Sequence, residues 1–163
     1  MATSLIETLR QIDIFSSLSD EAMGLIVESG ATIRTRPGAA VITEGSPDSG
    51  LRVVLDGSAA VSVGGNDRGT VGPGEYVGEI SLLDGEPRSA SLAAGPEGVT
   101  TFALSSMSFT PILRSNPEIA EALLKTLCLR LRKVEAAAAG HRAIRSGNAH
   151  PAFLLRAGHP GHE

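Results

Sequence analysis

Short runs of β-forming residues alternate with glycine-containing turns through the middle of the chain, from residue 31 to residue 104. The six runs are Ala31 to Thr35, Val41 to Thr43, Leu51 to Leu55, Ala59 to Val63, Ser89 to Ala93 and Val99 to Leu104. Turn sequences such as Asp56-Gly57 and Gly72-Pro73-Gly74 separate them. Many short strands at this spacing predict a small barrel or sandwich, and not alternating strands and helices.

Helical patterns lie before this region. Ser19 is predicted to cap the second of two N-terminal helices, because Asp20 and Glu21 follow it in the first turn and Gly30 marks the end. The first helix is predicted from its apolar periodicity, carried by Leu5, Ile6, Leu9, Ile12 and Phe15.

Helical patterns also follow the β-rich region. Ser105 is predicted to cap a short helix, and Asn116-Pro117 to open a longer one with proline in its first turn. The long helix carries an apolar stripe, formed by Ile119, Leu123, Leu127, Leu131 and Val134. The sequence thus predicts an α+β fold: N-terminal helices over 3–29, a small β-barrel over 31–104 and C-terminal helices over 106–140. Residues 141–163 are predicted to form a flexible tail outside this domain of residues 1–140.

The bulk composition narrows the function classes. The net charge is −4 and aromatic residues make up 3% of the chain, so neither a basic surface nor a set of stacking side chains for binding nucleic acid is expected. No apolar run reaches the ~20 residues that span a bilayer, so no membrane insertion is expected. The single cysteine, Cys128, suits a reducing compartment, and a cytoplasmic location is expected.

One segment, GEISLLDGEPRSA from Gly78 to Ala90, combines features of a ligand site. A short helix beginning near Glu79 would offer backbone N–H groups to an anion, and the planar fork of Arg88 matches a phosphate. Glu79 cannot hold an anion, but its carboxylate can accept hydrogen bonds from sugar hydroxyls. A ligand with one phosphate charge and a free sugar hydroxyl would satisfy both ends of the segment.

This segment resembles the phosphate-binding cassette of the cyclic nucleotide-binding domain family, which includes the catabolite activator protein and protein kinase A regulatory subunits. The matching positions are Gly78-Glu79-Ile80-Ser81-Leu82-Leu83, Asp84-Gly85 and Pro87-Arg88-Ser89-Ala90. Residues 41–45, 51–57 and 103–117 also resemble the family's strands and its join to the C-terminal helices. The resemblance implies a jelly-roll-like barrel, also described as a double-stranded β-helix.

The resemblance also implies residue roles. Arg88 would pair with the cyclic phosphate, Glu79 would take the ribose 2′-hydroxyl, and Gly78 would permit close backbone approach. Backbone amides of Ile80, Ser81 and Ser89 would support the phosphate and sugar. Ser89 stands where members that prefer cGMP often carry threonine, so cAMP is the expected ligand, with cGMP as the alternative and no further cofactor.

The chain departs from the family pattern in two places. Arg52 stands where the family often has an aromatic residue, and the preceding loop, residues 45–50, lacks the usual Gly-Asp pairs. Barrel packing is expected to absorb both changes, because this loop does not touch the ligand in the family. The residue that caps the base is not readable; Arg130 and Arg132 are candidates by location.

The expected function is a regulatory sensor that relays cyclic nucleotide binding through its C-terminal helix to an effector, a partner protein or a second copy of the chain. The alternative is a related scaffold that has lost its ligand and dimerises through that helix. Glu79 and Arg88 would then form only a structural ion pair.

An enzyme is not expected, because no nucleophile–base pair or metal-ligand spacing emerges. The histidines of His159-Pro160-Gly161-His162 are assigned to the tail, and Cys128 to core packing.

Overall fold

The structure, a computed structural model, describes residues 2–142, with side chains from residue 5 to residue 139. Two helices precede the strands, a short helix interrupts them, and two helices follow. The helices are α1 Ala2–Arg10, α2 Asp20–Ser29, α3 Glu79–Asp84, α4 Ser106–Ser115 and α5 Pro117–Arg142. The strands are β1 Ala31–Thr35, β2 Ala40–Ile42, β3 Gly50–Val63, β4 Asn66–Val71, β5 Tyr76–Val77 and β6 Ser91–Ser105.

The strands form one six-stranded antiparallel sheet. Its order is β1-β6-β3-β4, with β2 paired to β6 and β5 paired to β3. The sheet and its flanking helices confirm the α+β prediction. The described ladder is not closed between β1 and β4, so the complete barrel stays a prediction.

Two pairs of predicted strands are each one long strand in the structure. The runs 51–55 and 59–63 join in β3, whose register against β6 shifts between Val54 and Asp56 and again between Gly57 and Ala59. A β-bulge of this kind lets a strand pass through a turn-forming sequence without breaking its pairing. The runs 89–93 and 99–104 likewise join in β6, whereas β4 and β5 were missed because they lie in sequence dominated by turn residues.

Two hydrophobic clusters hold the molecule together. The larger one packs the helices on the sheet and is centred on fully buried side chains such as Phe15, Phe102 and Phe109. The smaller one lies between strands and includes Ile42 and Val77, which also line the candidate ligand cavity. The cavity wall is therefore continuous with packed sheet residues.

The predicted helix caps are confirmed. The side chain of Ser19 accepts a hydrogen bond from the Ala22 amide at the start of α2, and that of Ser105 accepts one from Ser108 at the start of α4. Gly30 directly follows α2.

Helix α5 packs only in part. Ile119 and Leu123 are buried, but Leu131 of the predicted stripe is 58% exposed. The assignment of Cys128 to the core was wrong, because its side chain is exposed. The helix extends past the elements that cover its first turns, so an apolar stripe in the sequence does not by itself imply burial.

No helix among residues 2–142 has both the length and the apolar character needed to cross a membrane. The domain limit at residue 140 stays a prediction, and the predicted tail lies, from residue 143 onward, outside the described residues. The histidine pair His159 and His162 falls in that part of the chain.

Candidate functional site

A cavity of about 250 Å³ lies between α3, the segment that follows it and the sheet. Gly78 opens this site in a left-handed conformation, with φ of 88°, and caps the N-terminus of α3. A side chain there would clash with the Gly50 carbonyl and lie 2.8 Å from Arg88 Nη1. Glycine is thus required for the tight packing of the cassette on the start of β3. The lining residues are Ile42, Val77, Gly78, Glu79, Ile80, Ser81, Asp84, Glu86, Pro87, Arg88, Ser89 and Ala90.

Arg88 lines the cavity and is 6% exposed. Its Nη1 donates to the Gly50 carbonyl, and its Nη2 lies 3.3 Å from Asp48 Oδ2. Its Nε is buried without a hydrogen-bond partner among the residues that the structure describes. A buried guanidinium with an unused donor at a cavity wall is suited to an anion.

The loop before β3 holds Arg88 in place. The Gly45 amide donates to the Arg88 carbonyl at 2.9 Å, and the Arg88 amide donates to the Ser46 carbonyl at 3.2 Å. Together with the Asp48 ion pair, these bonds attach the loop to the arginine. The loop therefore reaches the predicted phosphate-binding residue itself, which the sequence analysis did not anticipate.

Arg52 is half-buried, not displaced to the surface. Its Nη1 donates to Thr101 Oγ1 at 3.2 Å, and its backbone pairs with Val77 of the cavity wall. Burial, followed by the charge of Arg88, lowers the pKa of Arg52, and Asp48 opposes that change. Arg52, which stands where the family often has an aromatic residue, thus places a second cation near Arg88 and also alters the packing.

Glu79 also lines the cavity and is fully buried. Its Oε2 accepts a hydrogen bond from Arg130 Nη1 at 3.1 Å, and its Oε1 has no partner among the described residues. Burial raises the pKa of Glu79 to about 8, although the Arg130 charge acts in the opposite direction. Glu79 and Arg88 do not pair with each other: within the described chain the ion pairs join Glu79 to Arg130 and Arg88 to Asp48.

Arg130 connects Glu79 to the N-terminal part of the chain. Its Nε and Nη2 donate to the two carboxylate oxygens of Asp13, at 2.8 Å and 2.6 Å. Tyr76 also lies in this group, with its hydroxyl 3.0 Å from Arg130 Nη2 and 3.1 Å from Asp13 Oδ1. Burial alone would raise the pKa of Asp13, but the hydrogen bonds and charge of Arg130 outweigh it and lower that pKa. These four residues are called the Arg130 cluster: Asp13, Tyr76, Glu79 and Arg130.

Comparison with known proteins agrees with this geometry. The sequence model of the family described as "Cyclic nucleotide-binding domain" matches residues 32–116, which include all of the cavity lining and, apart from the first residue of β1, all six strands. This chain belongs to the cyclic nucleotide-binding domain family.

Relatives of the domain occur in several kinds of longer protein. A cyclic nucleotide-gated potassium channel of Mesorhizobium japonicum is 37% identical over 116 residues, which are 71% of this chain and 32% of the channel. The chain therefore spans about a third of the length of that relative. The crystal structure of the N-terminal domain of a Streptomyces coelicolor transcriptional regulator has 33% identity and a TM-score of 0.73, covering 80% of this chain and 96% of that one.

A third relative was solved with a ligand. The regulatory domain of Toxoplasma gondii PKA, in a co-crystal structure with cAMP, has 26% identity and a TM-score of 0.61. The match covers 68% of this chain and 44% of that one. The cyclic nucleotide-binding fold of the present chain is thus shared with regulatory proteins.

All six site residues predicted from the sequence line the same cavity; they are Gly78, Glu79, Ile80, Ser81, Arg88 and Ser89. Their roles toward a ligand stay predictions. Ser81 also has a structural role, since its hydroxyl accepts from the Gly50 amide at 3.1 Å and donates to the Glu86 carbonyl at 3.0 Å.

Sequence reasoning missed most of the polar partners. Asp13, Asp48 and Tyr76 were not singled out, and Arg130 was considered only as a cap for the base. The structure places Arg130 on Glu79, while Arg132 is exposed. The one signal in the sequence was the position of Asp13, a charged residue between Ile12 and Ile14. The structure shows that both isoleucines are fully buried.

Proposed function

We propose that this domain binds a cyclic nucleotide, with cAMP preferred to cGMP, and that it regulates a partner or effector through helix α5. Family membership supports the ligand class, because the printed descriptions of the relatives include a cyclic nucleotide-gated channel and a regulatory domain with cAMP. The cytoplasmic location and the absence of catalysis expected from the sequence are part of this proposal.

One observation carries the ligand assignment. Two residues that line one cavity, Arg88 and Glu79, each carry a buried polar atom, Nε and Oε1, without a hydrogen-bond partner among the described residues. Unsatisfied buried polar groups are costly, so such a pair is favoured where a ligand completes it. The arginine N–H suits an anionic acceptor such as a phosphate oxygen, and the glutamate oxygen can accept from a sugar hydroxyl. A cyclic nucleotide supplies both from one rigid ring system.

The size of the cavity supports a small ligand. Its volume of about 250 Å³ lies just below the ~300–1,000 Å³ typical of small-molecule sites. The base preference rests on Ser89, because the family resemblance associates threonine at this position with cGMP. Ser89 is exposed at the cavity and forms part of its lining.

The relay through α5 rests on the Arg130 cluster. Arg130 belongs to α5, and Glu79 begins the helix α3 at the cavity wall, so one hydrogen bond joins the two elements. A ligand shifts a conformational equilibrium only when it binds one state better than the other. Contact with Glu79 provides that difference, since it changes the charge distribution that Arg130 meets.

Calorimetric titration of the purified chain with cAMP and, separately, cGMP tests the ligand. We expect saturable binding, tighter for cAMP, and a loss of about 2–4 kcal/mol of binding free energy in Arg88→Ala, because a charge-assisted contact is removed. Arg36→Ala is the matched control, since Arg36 is exposed and does not line the cavity. Equal affinities in Arg88→Ala and Arg36→Ala would contradict the phosphate role.

A dimerising scaffold without ligand is the second candidate. It is favoured by the exposed apolar side chains of α5, Leu124, Leu129 and Leu131, which are between 58% and 63% exposed. Such a face is suited to a second copy or an effector helix. The same titration separates the candidates, because the scaffold predicts no heat with either nucleotide. Hydrolysis of cAMP during the titration would contradict the expectation of no catalysis.

A further inference from the structure

Asp13 is held rigidly at the base of the Arg130 cluster. It lies in the turn between α1 and α2, and its neighbours Ile12, Ile14 and Phe15 are fully buried in the larger hydrophobic cluster. Its backbone carbonyl also lies 3.4 Å from Thr126 Oγ1 of α5. The turn therefore offers the Asp13 carboxylate from a fixed position.

Asp13 takes two of the three donor groups of Arg130. Nε donates to Oδ2 and Nη2 to Oδ1, which is the bidentate geometry that fixes the plane of a guanidinium. Nη1 is left for Glu79, and it reaches only Oε2. Tyr76 strengthens this arrangement by donating to Oδ1.

The single hydrogen bond between Arg130 and Glu79 determines which oxygen of Glu79 is left to accept a hydrogen bond from a ligand. Because Arg130 engages one oxygen of Glu79, a residue that lines the cavity, Oε1 remains without a partner among the described residues. Without the Asp13 charge, Arg130 would be released to bond both Glu79 oxygens or to leave the cluster. In the first case Oε1 is occupied, and in the second the buried Glu79 loses its countercharge, which raises its pKa further and favours the protonated form. Both changes weaken the acceptor.

The geometry points to Asp13 as a positioning residue that acts through Arg130 to keep Glu79 Oε1 available to the sugar hydroxyl of the ligand. This inference rests on the proposed function. It extends the ligand site to the N-terminal helical segment, 66 residues before Glu79 in the chain. Asp13 itself does not line the cavity, so its effect on the ligand is indirect.

Affinities for cAMP and for 2′-deoxy-cAMP, measured by calorimetry, test this role. The ratio of the two affinities reports on the sugar hydroxyl alone. We expect Asp13→Asn to reduce the ratio by roughly fivefold or more, the effect of losing one hydrogen bond. Asp20→Asn is the matched control, because Asp20 is an exposed aspartate of the same segment that pairs with Arg10 away from the cavity. It should keep the ratio of the unmodified chain.

Arg130→Lys and the double variant with Asp13→Asn separate positioning from stability. A lysine keeps the charge but lacks the fork, so Arg130→Lys should also reduce the ratio, and the double variant should lose no more than the larger single loss. A lower melting temperature with an unchanged ratio in Asp13→Asn would overturn the inference, and so would additive losses. Failure of the unmodified chain to bind either nucleotide would overturn the proposed function together with this inference.

Discussion

The two buried charged residues that line the cavity, Arg88 and Glu79, are held in place differently. Arg88 is held by Gly50 and Asp48, which are 38 and 40 residues away and belong to the sheet and the loop that leads into it. Glu79 is held by Arg130, which in turn is held by Asp13 at a separation of 117 residues. We call the surroundings of Arg88 the phosphate end and those of Glu79 the sugar end, after their roles in the proposed function. The phosphate end is thus anchored by the sheet, and the sugar end is shared with helical segments near both ends of the chain.

This difference assigns different tasks to the two ends. An arginine held by loop and strand is suited to affinity, because its hydrogen bonds to Gly50 and Asp48 do not involve the N-terminal or C-terminal helices. A glutamate that is hydrogen-bonded to α5 is suited to the relay, because a ligand that contacts it also alters its bond with Arg130. In the proposed function the ligand connects Arg88 with Glu79, through its phosphate and its sugar hydroxyl.

The largest effect should follow from breaking the sugar end itself. Arg130→Ala leaves the fully buried Glu79 without its partner, and Asp13 loses both charge-assisted bonds. We expect the free energy of unfolding to fall by about 3–5 kcal/mol, as for other broken buried ion pairs. Urea unfolding followed by circular dichroism measures it.

Arg132→Ala provides the control on the same helix, because Arg132 is exposed. Its free energy of unfolding should stay within about 0.5 kcal/mol of the unmodified chain, as is usual for surface substitutions. Equal stabilities of the Arg130→Ala and Arg132→Ala variants would show that the cluster contributes nothing to holding α5.

A smaller effect, a pH dependence of cAMP affinity, should arise from Glu79 at the sugar end. Burial raises the pKa of Glu79 to about 8, and the ionised carboxylate is the stronger acceptor for a ligand hydroxyl. A ligand that favours the ionised form lowers this pKa, so cAMP affinity should rise as pH increases toward 8 and level off above it. We expect a rise of roughly fivefold between pH 6.5 and 8.5, close to 1 kcal/mol.

Glu79→Gln is the control for the pH experiment, because it removes this titration and leaves the four histidines in place. Its affinity should be lower and independent of pH in the same range. A parallel rise in both proteins would assign the pH dependence to another group.

The segment from Gly78 to Ala90, which carries both Glu79 and Arg88, was largely predictable from sequence because it is local. Gly78, Glu79 and Arg88 lie within eleven residues, and the short helix, its glycine ends and the following loop bring them to one cavity. The strands were also predictable as runs, although turn-forming sequence at Asp56-Gly57 concealed the continuity of β3.

The sugar end was not predictable in the same way. Its contacts depend on how α5 and the turn after α1 dock on the sheet, and no local pattern encodes the meeting of Asp13 with Arg130. The apolar stripe of α5 was similarly misleading, since Leu131 and Cys128 are exposed while Ile119 is buried. Sequence periodicity identifies the apolar face of the long helix. How much of that face is buried depends on the tertiary contacts of the helix.

The relay from the sugar end to α5 is the central claim, and Cys128 allows a direct test. It is the only cysteine of the chain, it is exposed, and it lies on α5 two residues before Arg130. Spin labels on Cys128 and on Asn66→Cys, at an exposed position at the start of β4, report the distance between the helix and the sheet by pulsed electron paramagnetic resonance. We expect saturating cAMP to shift this distance, and the shift to disappear when Glu79→Gln is added. Binding of cAMP with an unchanged distance distribution would contradict the relay.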